Sequence, residues 1–144
     1  MAQLIDTNIL VYRFDPRFPA KQEIASQVLR EGMRSGSIRV PHQALVEFVS
    51  VVTCVQAGGR PLLSRAEALR ECEEFLAEFT VLYPVEALFR TALRGAAAYN
   101  LSWFDAHIWA YAEHFGLSEI VSEDFEDGRI YGSARILNPF AELA

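Results

Sequence analysis

The sequence predicts an α/β domain with a mainly parallel sheet, and three observations carry that expectation. Short aliphatic or β-branched runs alternate with longer amphipathic ones, the pattern of strands and helices taken in turn. Proline, glycine and cap residues punctuate the handovers. The chain is 144 residues long and 51% hydrophobic, enough to bury one core and too apolar for disorder. No internal repeat, low-complexity tract or linker divides it, so residues 1–144 are expected to form a single domain.

The elements follow in order. Residues 2–6, AQLID, read as a buried strand, and residues 7–15, TNILVYRFD, as a short helix begun by Thr7 or Asn8. Residues 19–36 carry Ile24, Val28 and Leu29 at helical spacing and stop at Gly32 and Gly36. SIRVP, 37–41, is a second strand ended by Pro41. Residues 42–56 make a long helix before Gly58 and Gly59, with Leu45, Phe48, Val52 and Val55 as its core stripe and Gln43, Glu47 and Ser50 as its polar one. Ser64 and Glu67 form a capping box that opens a helix over 64–79. TVLYP, 80–84, is a third strand. The helix over 85–100 bears Glu86, Arg90 and Arg94 as a solvated ladder. Residues 102–115 are helical, with Phe104, Ile108, Tyr111 and Phe115 on one core stripe. EIVS, 119–122, is a strand, an acidic loop follows, and ARILN, 134–138, is the last strand.

Charge narrows the function classes. A net charge of −6 argues against passive binding to nucleic acid, so a nucleic-acid substrate would need cations to offset the acidity locally. Cys54 and Cys72 lack metal-ligand or disulfide spacing and are expected as buried thiols. His42, His107 and His114 show no ligand pattern. No apolar run nears the roughly 18 residues of a membrane span, and no signal-peptide pattern opens the chain. A cytoplasmic protein with no membrane partner is expected.

The acids are placed more tellingly than they are numbered. Of five Asp, three stand at element boundaries behind an apolar approach: Asp6, Asp105 and Asp124. Each has a structural reading: Asp6 as a helix cap, Asp105 as the acid of a box begun by Ser102, and Asp124 as one loop acid among Glu123, Glu126 and Asp127. In an open parallel sheet, ligands bind beyond the carboxyl ends of the strands. Asp6 and Asp124 leave strands there, and Glu47 can project over the same edge. Asp105 is expected at the opposite end, because its helix precedes the fourth strand.

The segments LIDTNIL, ALVEF, LSWFDAHIWAYA and VSEDFEDGRIYG…ILNPF, in this order, resemble the PIN-domain family, and within it the VapC-type toxins of bacterial toxin–antitoxin pairs. The resemblance runs nearly end to end. It implies a three-layer α/β/α sandwich and an acidic quartet at Asp6, Glu47, Asp105 and Asp124. Thr7, Asn8 and Ser102 would orient carboxylates or contact phosphate. Glu123 or Asp127 is the alternative to Asp124.

The implied activity is metal-dependent hydrolysis of RNA. Carboxylates about 4 Å apart repel by about 4 kcal/mol at an effective dielectric near 20, a penalty that Mg²⁺, or Mn²⁺ in its place, removes. Asp6 and Asp105 would ligate directly, and Glu47 and Asp124 would hold a second ion or its water. The resemblance also implies a small antitoxin whose Arg or Lys enters the acidic cleft. The segment CVQAGGRPLLS is a candidate partner groove or homodimer contact, and Trp103 a candidate for stacking on a base. The alternatives are a catalytically silent PIN-like binding module, or a PIN nuclease outside a toxin–antitoxin pair. A haloacid-dehalogenase-like phosphatase is excluded because Asn8 stands where it needs a second Asp. A receiver-like phosphoacceptor is excluded because the single lysine, Lys21, lies early in the chain.

Overall fold

Neighbouring residues of the first strand, β1 (Gln3–Ile5), serve different halves of the core, because successive strand side chains point to opposite faces. Leu4 packs with Leu88, Ile108 and Ile136, whereas Ile5 packs with Ile9, Val40 and Phe48. Ile120 and Val121 of β4 (Glu119–Val121) divide in the same way. A sheet buried on both faces needs a helical layer on each. In this computed structural model, which describes residues 1–55 and 59–143, both layers are present. One contains α1 (Thr7–Tyr12), α2 (Pro19–Ser35), α3 (His42–Val52) and α4 (Arg65–Glu78); the other contains α5 (Glu86–Tyr99) and α6 (Trp103–His114).

Between them lie β1, β2 (Ile38–Pro41), β3 (Thr80–Leu82), β4, β5 (Ile130–Tyr131) and β6 (Ala134–Leu137). The sheet order is β3-β2-β1-β4-β6-β5, and every pairing is parallel except β5 with β6. The expected α/β/α sandwich with a mainly parallel sheet is therefore the fold. β1 and β4 pair in register, Ile5 opposite Val121, so the residues that follow them, Asp6 and Ser122, leave the sheet side by side.

Several local expectations are corrected. The β5–β6 hairpin was not anticipated: two residues are too few to show alternation, and Gly132, with φ 60, starts its tight turn. The first helix ends at Tyr12 and the third at Val52. Val55 therefore lies beyond the core stripe and is 68% exposed. Phe104 is also exposed, because a first-turn side chain leans back past the helix end rather than over the next turn. Phe115 caps the same helix at its far end and is likewise exposed. Cys54 is exposed and Cys72 half-buried, and neither forms a disulfide. The expected partner hairpin around CVQAGGRPLLS falls partly on residues 56–58, outside the described residues. Among the described residues, no helix is long and apolar enough to cross a membrane.

The α5–α6 layer closes tightly at one glycine. A Cβ on Gly95 would overlap the indole of Trp109, whose Nε1–H donates to the Tyr131 carbonyl at 2.9 Å. Gly95→Ala is expected to destabilise the fold by about 1–3 kcal/mol, since the ring is pinned and cannot yield. Chemical denaturation measures this, and a neutral result would mean that Trp109 moves freely.

Candidate metal centre

Asp6 directly follows β1 and is the N-cap of α1, and its Oδ1 accepts the Thr7 amide at 2.7 Å. Its Oδ2 accepts the hydroxyl of Ser122 at 2.6 Å. Ser122 is fully buried just past β4 and also accepts from the Asp124 amide at 3.0 Å and from Asn8 Nδ2 at 3.3 Å. One hydroxyl thus spends its donor and both lone pairs on fixing Asp6 and the start of the acidic loop. Asn8 Nδ2 also faces Asp124 Oδ2 at 3.2 Å and Asp6 Oδ2 at 3.4 Å.

Asp105 joins this pair. One carboxylate oxygen each from Asp6, Asp105 and Asp124 lies within 4.8 Å of the others. The expectation that Asp105 sits at the opposite end of the sheet is corrected. α6 ends four residues before β4 begins, so it must run back along the strand that it feeds. Its N-terminus consequently lies at the carboxyl edge, with Asp6 and Asp124.

Comparison with α4 shows what is unusual at Asp105. In α4 the box closes fully: Glu67 N–H donates to Ser64 Oγ, and Ser64 N–H donates to Glu67 Oε1 at 3.0 Å. In α6 only the first half forms, from Asp105 N–H to Ser102 Oγ at 3.2 Å. Among the described residues, nothing donates to the Asp105 carboxylate, which turns instead toward two other carboxylates.

Glu47 lies outside the group of three and connects through Thr7, whose Oγ1 donates to Glu47 Oε2 at 3.4 Å; Gln43 Nε2 donates to the same oxygen at 2.8 Å. The neighbouring loop acids have other partners. Glu123 accepts from Tyr12 at 2.6 Å and from Lys21 at 2.8 Å, and Asp127 accepts the Asn138 amide at 2.8 Å. Asp124 is the loop acid left facing the cluster. Ser122, Gln43, Tyr12 and Lys21 contact these acids and were not singled out as candidate site residues from the sequence. The available signals were the polar stripe that Gln43 shares with Glu47 and a Ser directly after an aliphatic strand, in IVSED.

The electrostatics follow from this crowding. Burial lifts the Asp6 carboxyl from its ordinary 3.8 to about 7, the charges of Asp124 and Asp105 add to the rise, and the bonds from Ser122 and Thr7 oppose it. Glu47 is raised by burial and then by Asp105 and Asp124. Asp124, the most open of the three, is raised by partial burial and then by Asp105. Three hard oxygen donors that repel one another and lack enough hydrogen-bond donors suit a divalent cation of the Mg²⁺ or Mn²⁺ kind. The buried Oδ1 of Asn8 also lacks a hydrogen-bond partner among the described residues.

Comparison with known proteins agrees with this architecture. The chain is similar in fold to a toxin–antitoxin complex from Klebsiella pneumoniae, at TM-score 0.68 and 18% identity, covering 96% of this chain and 98% of that one. It is also similar to VapBC2 from Rickettsia felis, solved bound to a DNA fragment from its promoter, at TM-score 0.70 and 12% identity with the same coverage. No curated protein matches in sequence. The PIN-domain model matches residues 4–131, and the sandwich and its acidic edge accord with that match: the chain belongs to the PIN-domain family.

Proposed function

We propose that this protein is a metal-dependent endoribonuclease and the toxin of a VapBC-type toxin–antitoxin pair. PIN domains are nucleases, and the fold neighbours are toxin–antitoxin complexes. The observation that carries the reading is the Asp105 carboxylate, which lacks any donor among the described residues and lies within reach of Asp6 and Asp124.

Asp6, Asp105 and Asp124 would hold Mg²⁺ or Mn²⁺, with Glu47 serving a second ion or a water. Such an ion supplies a more acidic water and stabilises the charge that develops on a phosphodiester. The protein's own groups do the positioning. Ser122 and the Thr7 amide hold the two oxygens of Asp6 in place, one of them within reach of Asp105 and Asp124. Asn8 holds Asp124 toward it. Ser102 starts α6 at the turn that presents Asp105. Glu47 has both donors on Oε2, which leaves Oε1 available to accept a proton from water. Trp103, 45% exposed beside Phe89 and Phe104, offers a face for an unstacked base near the acids.

In the cell, a small antitoxin would silence the site by placing an Arg or Lys among the carboxylates, and a second copy of the chain would complete a homodimer. The test is incubation of purified protein with RNA in Mg²⁺, in Mn²⁺ and in chelator. Internal cuts that need the metal are expected. RNA left intact in both metals would overturn the reading in favour of a silent module.

A further inference from the structure

The cleft beside the acids has both acidic and cationic or aromatic residues in its lining. It encloses about 310 Å³ and is lined by Asn8, Glu47 and Asp124 together with Tyr12, Arg17 and Phe18. Arg17 is the one Arg or Lys among the described residues lining it. Its Nε and Nη2 donate to the two oxygens of Asp15 at 2.9 and 2.8 Å, and its backbone N–H donates to Oδ1 at 3.1 Å. Asp15 is only 2% exposed, so it serves as a buried anchor under the guanidinium. The guanidinium is thereby fixed in place while its side chain stays 42% exposed, with Nη1 unpartnered among the described residues. Beside it, Phe18 is 45% exposed and carries the Arg17 Cζ 5.5 Å from its ring centroid.

A guanidinium held by a buried carboxylate, beside a half-exposed aromatic ring that Tyr12 and the Lys21 ammonium also approach, matches one repeating unit of nucleic acid, a phosphate and a base. The cleft on the other side of Glu47, lined by Val46, Phe89, Trp103 and Phe104 among others, has no Arg or Lys and lacks the phosphate half of that match. We propose that Arg17 and Phe18 form the subsite for the nucleotide next to the scissile one, Arg17 binding its phosphate and Phe18 stacking on its base. The subsite rests on the nuclease reading. It gives an acidic chain a local cationic foothold for its substrate, at a fixed place relative to the carboxylates.

The test is binding of a short fluorescent single-stranded RNA in an Asp105→Asn background with Mg²⁺, read by anisotropy over a range of salt. Arg17→Ala is expected to weaken binding about ten-fold and to lower the salt slope by about 0.7, one phosphate contact's share for a single strand. Phe18→Leu should weaken binding at an unchanged slope. Arg34→Ala, an equal loss of charge in an exposed pair with Glu31, should do neither. Arg17→Lys keeps a cation over Asp15 and should restore the slope, which separates phosphate contact from a damaged fold. In the cleaving protein, Arg17→Ala should raise KM far more than it lowers kcat. Equal affinity and slope for Arg17→Ala and Arg34→Ala would overturn the subsite, as would an oligonucleotide that fails to bind at all. RNA that binds through Arg17 but is never cut would instead overturn the nuclease reading, and with it the subsite's place beside a scissile nucleotide, leaving only an RNA contact at Arg17.

Discussion

Asp105→Asn is expected to lower kcat for RNA cleavage about 1,000-fold, a loss of about 4 kcal/mol at the transition state. Residues that only orient a metal's ligands typically change metal affinity or activity by 10- to 100-fold when removed. A carboxylate that itself contacts the ion should exceed that range. Asp105 is the cleanest position for the experiment, because its carboxylate holds nothing else together among the described residues. Asn keeps the shape and the backbone N–H that Ser102 caps, so folding should be nearly unchanged. Glu67→Gln is the matched control: it alters the corresponding acid of α4, whose box is closed, and should touch stability while sparing cleavage. Cleavage by Asp105→Asn within about three-fold of wild type would remove Asp105 from the metal centre.

Much of this arrangement was readable in the chain itself, and the parts that were not share a physical cause. Asp6 and Asp124 could be placed because a strand ends just before each and strand ends define the ligand edge of a parallel sheet. The convergence of Asp105 was misjudged at the level of connectivity, although the short link from α6 to β4 contained the answer. Ser122 was invisible as a site residue because two of its three partners, Asp6 and Asn8, reach it only through the pairing of β1 with β4. The same holds for Lys21, which reaches Glu123 across 102 residues. Periodicity failed at helix ends, where Phe104 and Val55 keep the spacing of core residues without a neighbouring turn to cover them. Arg17 and Asp15 stand two residues apart and look like a surface pair; only the fold turns them into a cleft wall. Patterns that depend on one element are legible in sequence, and those that depend on two elements meeting are not.

The carboxylates also leave a signature on stability. Asp6 has a folded pKa near 7 against an ordinary value of 3.8, so its contribution is fully stabilising below about pH 4 and is lost as pH rises through about 7. The raised values of Glu47 and Asp124 act in the same direction. Asp15 runs opposite, since the Arg17 guanidinium lowers its carboxyl, but its loss of stability falls at more acid pH. In chelator, the wild-type protein is therefore expected to be less stable at about pH 8 than at about pH 5, by a few kcal/mol. A saturating divalent cation should restore about 2.7 kcal/mol at a hundred times its Kd.

Asp6→Asn should flatten this dependence, raise Tm in chelator at about pH 8 by several degrees, and abolish most of the response to Mg²⁺. The opposing effect is local. Asn at position 6 can still accept the Thr7 amide, but its own N–H₂ now meets Ser122, whose hydroxyl already accepts from Asn8 and Asp124. One of those bonds must give way, at about 1 kcal/mol, which is less than the relief of burying a charge among like charges. Thermal melts at both pH values, with and without Mg²⁺, read the balance directly. If the chelated variant melted at or below wild type at about pH 8, hydrogen bonding alone would be holding the three acids together and the need for a cation would vanish.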